Sequence, residues 1–310
     1  MPISESITSL YLRARLWLGK KRYGTFTPKV VRVSSTRLIK GPCFPAELEG
    51  LRYVAQHTTI PIPKVHRTYP ASEGRIYIEM DYIKGDTLQE IWRNPNFTSP
   101  NKQAVIQEIA SYIDQLRKLT PPEEGIVASA ELGECYDIRV GSWLFGPFKS
   151  IDEFHEFLRG TIPIEDTTKV YGEAVTKCHE RSGSESYYRT CFTHADIAKR
   201  NIIIRDGKVA GIVDWQFSGW FPEYWEYTKA FYTLYDVPDW YGGLKKVMRR
   251  YDDELKAERV LWERFDQPGD LLRTRYYGGR NDGGMYSLSG GHTPDRSTEQ
   301  TSAVTYLTAE

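Results

Sequence analysis

The chain has 310 residues, and its 41 Lys and Arg are balanced by 41 Asp and Glu, so no overall field draws it to nucleic acid or to an anionic membrane. With 40% hydrophobic and 26% charged residues it has a globular balance and can bury a core in one large or two modest domains. No stretch approaches the roughly 20 apolar residues of a membrane span. The scattered cysteines Cys43, Cys135, Cys178 and Cys191 form no close metal-type pair, which points to a reduced, cytoplasmic setting.

In chain order, Ile7 to Leu18 reads as an amphipathic helix, followed by a basic turn at Gly19-Lys20-Lys21-Arg22. Short strands are expected at Lys29 to Val33 and Thr36 to Lys40, then a helix from Ala46 with Glu47, Leu48, Leu51, Val54 and Ala55 at helical spacing. Thr58 to Val65 reads as an extended edge segment, because Pro61 and Pro63 cannot donate to a central ladder. Arg75 to Ile83 reads as a buried strand leading into a connection. Beyond Gly85 the chain turns helical, with Ser99 as a cap, Pro100 in the first turn, and Val105, Ile109, Tyr112, Ile113 and Leu116 as one core stripe. In the mixed region from 121 to 190, Glu153, Glu156, Glu165 and Asp166 read as a solvated acidic face, with a cationic acceptor as the competing reading. Leu244 to Phe265 reads as a closing helix. From Gln267 onward Gly, Ser, Thr, Asp and Arg dominate, and the segment is expected to be a disordered tail that can be removed without loss of the fold.

The stretch Thr193-His194-Ala195-Asp196-Ile197-Ala198-Lys199-Arg200-Asn201, followed by Ile202 to Ile204 and by Asp214-Trp215, carries the most chemistry. Asn201 to Arg205 and Lys208 to Val213 read as strands joined by an Asp206-Gly207 turn. That turn pairs Arg205 with Lys208 and Asn201 with Ile212, so Asp214 lies two residues past the partner of Asn201, roughly 7 to 8 Å away on the same face. An amide oxygen and a carboxylate there suit magnesium, a hard cation that keeps few protein ligands. Asp196, in the loop entering the hairpin, is the candidate base. Any one of these aspartates is explained by a turn or a strand end, but three groups converging on one hairpin end describe a phosphoryl-transfer site. His194 reads as a buried strut. The run Trp215, Phe217, Trp220, Phe221, Tyr224, Trp225 and Tyr227 reads as core packing, with ammonium binding beside Glu223 as the competing reading.

The segment HADIAKRN with IVDW following resembles the catalytic and metal-binding loops of the aminoglycoside phosphotransferase family, within the protein-kinase-like superfamily. FTHADIAKRNIII, GIVDWQFSGWFPEYWEY and HTTIPIPKVH resemble its fungal branch in particular, and the likeness runs from about Tyr23 to about Phe265. Members typically have Gly where this chain has Ala195 and Glu where it has Gln216. The resemblance implies an α+β, two-lobed protein-kinase-like fold with a small antiparallel sheet lobe and a larger, mainly helical lobe. The boundaries are 1–22 for a helical extension, 23–84 for the nucleotide lobe, 85–266 for the catalytic and acceptor lobe, and 267–310 for the tail. It further implies transfer of the γ-phosphoryl group of ATP, with Mg2+, to a hydroxyl of a small molecule. Lys40 then contacts the nucleotide phosphates and Glu47 is its ion-pair partner, with Glu49 the competitor. Met80 lies behind adenine, while Asp81 and Ile83 hold it through backbone groups. Asp196 is the catalytic residue, and Asn201 and Asp214 hold the metal. No glycine-rich phosphate loop is visible, and the backbone from Gly24 to Phe26 is expected to cover ATP. A protein serine/threonine kinase and a catalytically silent nucleotide-binding scaffold are the alternatives. The identity of the acceptor and the oligomeric state are not set by the sequence.

Overall fold

The computed structural model describes residues 3–141, 143–180, 188–232 and 238–265. In the first lobe, α1 (Ile3–Tyr23) precedes a hairpin of β1 (Thr25–Thr27) and β2 (Val30–Arg32), then β3 (Arg37–Cys43), α2 (Pro45–His57), β4 (Val65–Pro70) and β5 (Ile76–Asp81). The strands form one antiparallel sheet in the order β1-β2-β3-β5-β4. The buried strand expected from Arg75 is therefore central, and the proline-bearing segment leads into the edge strand β4.

The first helix is longer than its apolar pattern suggests and is no free extension. Leu12 packs with Ile39 and Tyr69 on the outer face of the sheet, and Arg15 Nη1 lies 2.5 Å from Glu79 Oε2, which also accepts from the Tyr69 hydroxyl at 2.8 Å. Gly19 makes the close approach possible, since a Cβ there would stand 2.5 Å from the Arg32 carbonyl oxygen.

The second lobe runs through β6 (Asp86–Thr87), α3 (Leu88–Ile91), α4 (Ser99–Arg117), β7 (Cys135–Tyr136), β8 (Leu144–Phe145), α5 (Ile151–Leu158), α6 (Ile164–Tyr171) and α7 (Glu173–Glu180). It continues through β9 (Thr190–Thr193), β10 (Ile202–Arg205), β11 (Lys208–Ile212), β12 (Gly219–Pro222), α8 (Trp225–Ala230), α9 (Pro238–Val247) and α10 (Asp252–Phe265). Thr98, not Ser99, precedes α4, and its N–H and hydroxyl both donate to the Asn101 side chain. The stripe on α4 buries Val105, Ile109, Ile113 and Leu116 as expected, while Tyr112 stays half-buried with its hydroxyl on Glu108.

The aromatic run after Asp214 is core. Trp215, Trp220, Phe221, Tyr224 and Trp225 are fully buried, and Phe221 stacks on Trp225 with centroids 5.5 Å apart. All four cysteines are free and buried. No helix among the described residues is long and apolar enough to cross a membrane. The tail from 267 lies outside the described residues.

Candidate active site

The hairpin β10-β11 forms as its turn residues dictate, with Asp206 and Gly207 both at positive φ, 53° and 75°, and Arg205 opposite Lys208. Its far end departs from the regular register. Ile204 pairs with Val209 but Ile203 pairs with Gly211, so Ala210 is an extra residue in β11. Ile212 therefore faces Ile202, and the Asn201 carbonyl accepts from the Val213 N–H at 2.9 Å. Asp214 is one residue past the partner of Asn201 instead of two. On a regular strand that would send its side chain to the wrong face, but its φ of 68° lies in the left-handed region and redirects it.

Asp214 then meets Lys40 of β3. The Lys40 ammonium lies 2.6 Å from both Asp214 Oδ1 and Glu47 Oε1, so one cation bridges the two lobes through two carboxylates. Burial alone would lower the pKa of Lys40, but Asp214 and Glu47 outweigh it and hold the ammonium charged. Burial raises the pKa of Glu47, only 1% exposed, against the pull of Lys40. Asp214 is the more open of the two acids, and the same cation outweighs burial to hold its pKa below the usual carboxylate value. Glu49, the competing partner for Lys40, accepts from the Ser129 hydroxyl at 2.5 Å instead.

Gly50 in α2 sets this arrangement. A Cβ there would stand 2.0 Å from Ser218 Oγ and 3.4 Å from the Trp215 carbonyl oxygen, so only glycine lets the helix lie against the segment that follows Asp214. The Ser218 hydroxyl is itself tied to that carbonyl at 2.7 Å. Gly50→Ala is expected to push α2 off this segment and lower turnover by about tenfold, roughly 1.4 kcal/mol of lost alignment. Adding Ser218→Ala removes the obstructing oxygen and should restore most of the rate. A double variant as impaired as the single one would refute this account.

Asp196 sits in the loop between β9 and β10, with both carboxylate oxygens engaged. Arg200 Nη2 reaches them at 2.6 and 2.7 Å, and Asn201 Nδ2 donates to Oδ2 at 2.7 Å and to the Asp196 carbonyl at 3.0 Å. Asn201 thereby turns its amide oxygen away from Asp196. His194 is the strut its position suggested. Its Nδ1 accepts the Asp196 N–H at 3.1 Å, which leaves Nε2 as the protonated nitrogen, donating to the Val213 carbonyl at 3.1 Å. Burial lowers its pKa and keeps it neutral. The ring thus ties the loop carrying Asp196 to the residue preceding Asp214.

Below the loop, Glu226 of α8 accepts the backbone N–H of His194 at 2.6 Å and of Ala195 at 3.1 Å. Ala195 has a φ of 59°, a conformation that costs a Cβ-bearing residue about 1 kcal/mol and persists because Glu226 holds it. Burial pushes the Glu226 carboxyl up to about 7, although both N–H groups favour the anion. With its folded value above the unfolded one, its contribution to stability is complete below about pH 4.5 and is lost as pH rises through about 7. Glu226→Gln should therefore flatten the fall in melting temperature between pH 5 and 8. A fall of equal slope in both proteins would show that Glu226 does not titrate there.

The connection between the lobes holds the remaining expected residues. Met80 is buried and opposite Leu38. The Asp81 carboxylate binds His66 Nε2 at 2.6 Å, and its N–H donates to the Lys64 carbonyl. Tyr82 N–H donates to Thr36, and Phe26 of β1 stacks over the Tyr82 ring at 5.7 Å. The side chain of Ile83 packs on β11, where a Cβ on Gly211 would meet Ile83 Cδ1 at 2.2 Å.

Glu223 does not offer a site for an amine. Its carboxylate accepts from the Tyr251 hydroxyl at 2.8 Å and from Arg117 and Arg249 at 3.2 Å. Glu153 accepts from Lys149 N–H, and Asp166 is paired with Lys169. Sequence reasoning missed Arg200, Glu226 and Gly50. The spacing of Arg200 from Asp196 was a signal, whereas nothing in the sequence marked Gly50 as a contact.

Asn201 and Asp214 offer an amide and a carboxylate oxygen, a hard donor pair that fits magnesium completed by phosphates. No group of three or more His, Cys, Asp or Glu that could hold a metal occurs among the described residues.

The model of the phosphotransferase enzyme family matches residues 13–262. Among solved structures, the apo form of a thermostable mutant of aminoglycoside phosphotransferase APH(4)-Ia is similar, with a TM-score of 0.52, 15% identity, and coverage of 82% of this chain and 91% of that one. The GDP and kanamycin complex of APH(2")-IIia gives a TM-score of 0.54, 12% identity, and coverage of 87% and 94%. A ternary complex of APH(4)-Ia with AMP-PNP and hygromycin B gives 0.50, 14%, and coverage of 86% and 99%. No curated protein sequence matches significantly. The structural likenesses establish the shared two-lobed fold, and the family model spans most of both lobes, so the chain belongs to the phosphotransferase enzyme family.

Proposed function

We propose that this protein transfers the γ-phosphoryl group of ATP, with Mg2+, to a hydroxyl of a small molecule. The observation that carries this reading is the single ammonium of Lys40 held at 2.6 Å by Glu47 from one lobe and Asp214 from the other, with Asp196 and Asn201 on the adjoining loop. Lys40 steadies the nucleotide phosphates, while Met80 and the backbone at Asp81 and Ile83 receive the base. Asn201 and Asp214 would hold the metal, which would supply positive charge against that developing on the phosphates. Asp196 orients the acceptor hydroxyl and takes its proton as the new bond to phosphorus forms.

Incubation of the purified protein with a small-molecule extract and γ-labelled ATP, with GTP in parallel, tests the reading. A labelled small product is the expected result. Labelled protein instead would identify a protein kinase, and tight nucleotide binding without any transfer would identify a silent scaffold.

A further inference from the structure

Beside Lys40, a cavity of about 50 Å3 opens between the β1–β2 turn, the end of β3 and the second lobe. Its lining includes Lys29, Lys40, Phe44, Arg75, Tyr136 and Gln216. That is space for a few ordered waters, or for one small polyatomic ion displacing them. One wall is a ladder of flat groups: the Arg75 guanidinium lies 4.4 Å above the Phe44 ring, Phe44 is 4.7 Å from Tyr136, and Tyr136 is 5.5 Å from Phe217. These contacts hold the guanidinium beside the cavity without consuming its hydrogen bonds.

The charge balance in this cavity is one-sided. Lys40 is satisfied by Glu47 and Asp214, but Lys29 and Arg75 have no carboxylate partner among the described residues, and no Asp or Glu lines the cavity. Asp214 is committed to Lys40 and Asp137 to Lys229. Burial, together with those two acids, raises the pKa of Tyr136, so its hydroxyl stays protonated and able to donate. Gln216 also lines the cavity. A carboxylate there would place an anion among the cations, whereas the amide supplies N–H donors and leaves the cavity positive.

We propose that this cavity is an oxyanion subsite that takes a phosphate group through Lys29, Arg75, the Tyr136 hydroxyl and the Gln216 amide. Two sources present that chemistry: the terminal phosphate of the nucleotide, or a phosphate carried by the acceptor. In the second case the substrate is an anionic alcohol, unlike the polyamines that an acidic cleft would select. The subsite itself stands on the cavity, and only the source of its phosphate rests on the phosphotransferase reading.

The test is calorimetric titration of the full chain with inorganic phosphate, beside Arg75→Gln and Gln216→Glu, with melting curves to verify folding. Binding by the unaltered chain that weakens about tenfold or more in both variants is expected, the size of one lost charge-assisted hydrogen bond. No binding, or equal binding in all three proteins, overturns the subsite. Repeating the titration with saturating AMP-PNP separates the sources: phosphate excluded by AMP-PNP assigns the subsite to the nucleotide, and phosphate still bound assigns it to the acceptor. A parallel ADP titration keeps the two ideas apart, because a chain that binds phosphate but not ADP would retain the subsite and lose the phosphotransferase reading.

Discussion

Asp196→Asn is expected to lower phosphoryl transfer by about 10² to 10⁴ while leaving MgATP binding nearly unchanged, the loss usual for general acid–base help. The side chain keeps its shape and one acceptor for Asn201. What disappears is the proton acceptor and the charge that holds Arg200 at 2.6 Å. That ion pair is partly exposed, so its contribution to stability is on the order of 1 kcal/mol or less. Asp214→Asn should behave differently. It weakens both the metal ligand and the counter-charge of Lys40, so metal-dependent nucleotide binding and turnover fall together. Calorimetry with MgATP beside a turnover assay decides between the roles. If Asp196→Asn abolished MgATP binding while Asp214→Asn left binding and rate intact, the roles assigned to this hairpin would be wrong.

The second large effect concerns Lys40→Met, which should abolish most turnover and also destabilise the protein by about 3 kcal/mol near neutral pH, as expected when a buried ion loses its partner. Glu47, 1% exposed, would be left facing Asp214 without a cation, and its Oε2 already lacks a partner. Burial already raises the pKa of Glu47 in the unaltered protein, and without the pull of Lys40 it rises further above the unfolded value of about 4.5. Stability is then retained below that pH and lost as pH rises through the folded value. Lys40→Met should therefore melt close to the unaltered protein at pH 4.5 and well below it at pH 7.5. Lys40→Met with Glu47→Gln should regain stability without regaining activity. A pH-independent deficit would mean that Glu47 is not the source of the loss.

Local rules account for how much of this was legible in the sequence. The Asp206-Gly207 turn, the strand through Lys40, and the helix carrying Glu47 all follow from turn chemistry and periodicity, and each lies where those signals put it. The lysine–glutamate pair was reachable only through the resemblance, since a Glu seven residues after a Lys is by itself an ordinary surface pattern. The bulge at Ala210 was not legible, since no residue there demands it and a regular hairpin also brings Asp214 near Asn201. Also hidden were contacts set by distant packing. Glu223 looks like a ligand in a run of aromatics until Arg117 and Tyr251, from two other elements, close on it. Gly50 reads as a weak helix residue until the segment after Trp215 is brought against it. The full length of the first helix was also hidden, because only a narrow strip around Leu12 and Leu16 is covered by the sheet and the residues beyond Ile7 to Leu18 carry no apolar signal.

The seam between the lobes has a mechanical consequence. Ile83 bears on Gly211, Gly85 lies against the Ile204 carbonyl, and the Pro61 carbonyl accepts from the Ile212 N–H at 2.8 Å, so the single connection between the lobes and the first-lobe loop carrying Pro61 are fastened to one hairpin. That hairpin also leads into Asp214. Rotation of the small lobe about this fulcrum moves each atom in proportion to its distance from it. Residues at the seam barely shift, whereas Lys40 and Lys29, neighbours where the Gly41 N–H donates to the Lys29 carbonyl at 2.9 Å, move together through a wider arc. A few degrees of rocking can thus open or shut the outer end of the cleft while the base-binding end keeps its dimensions.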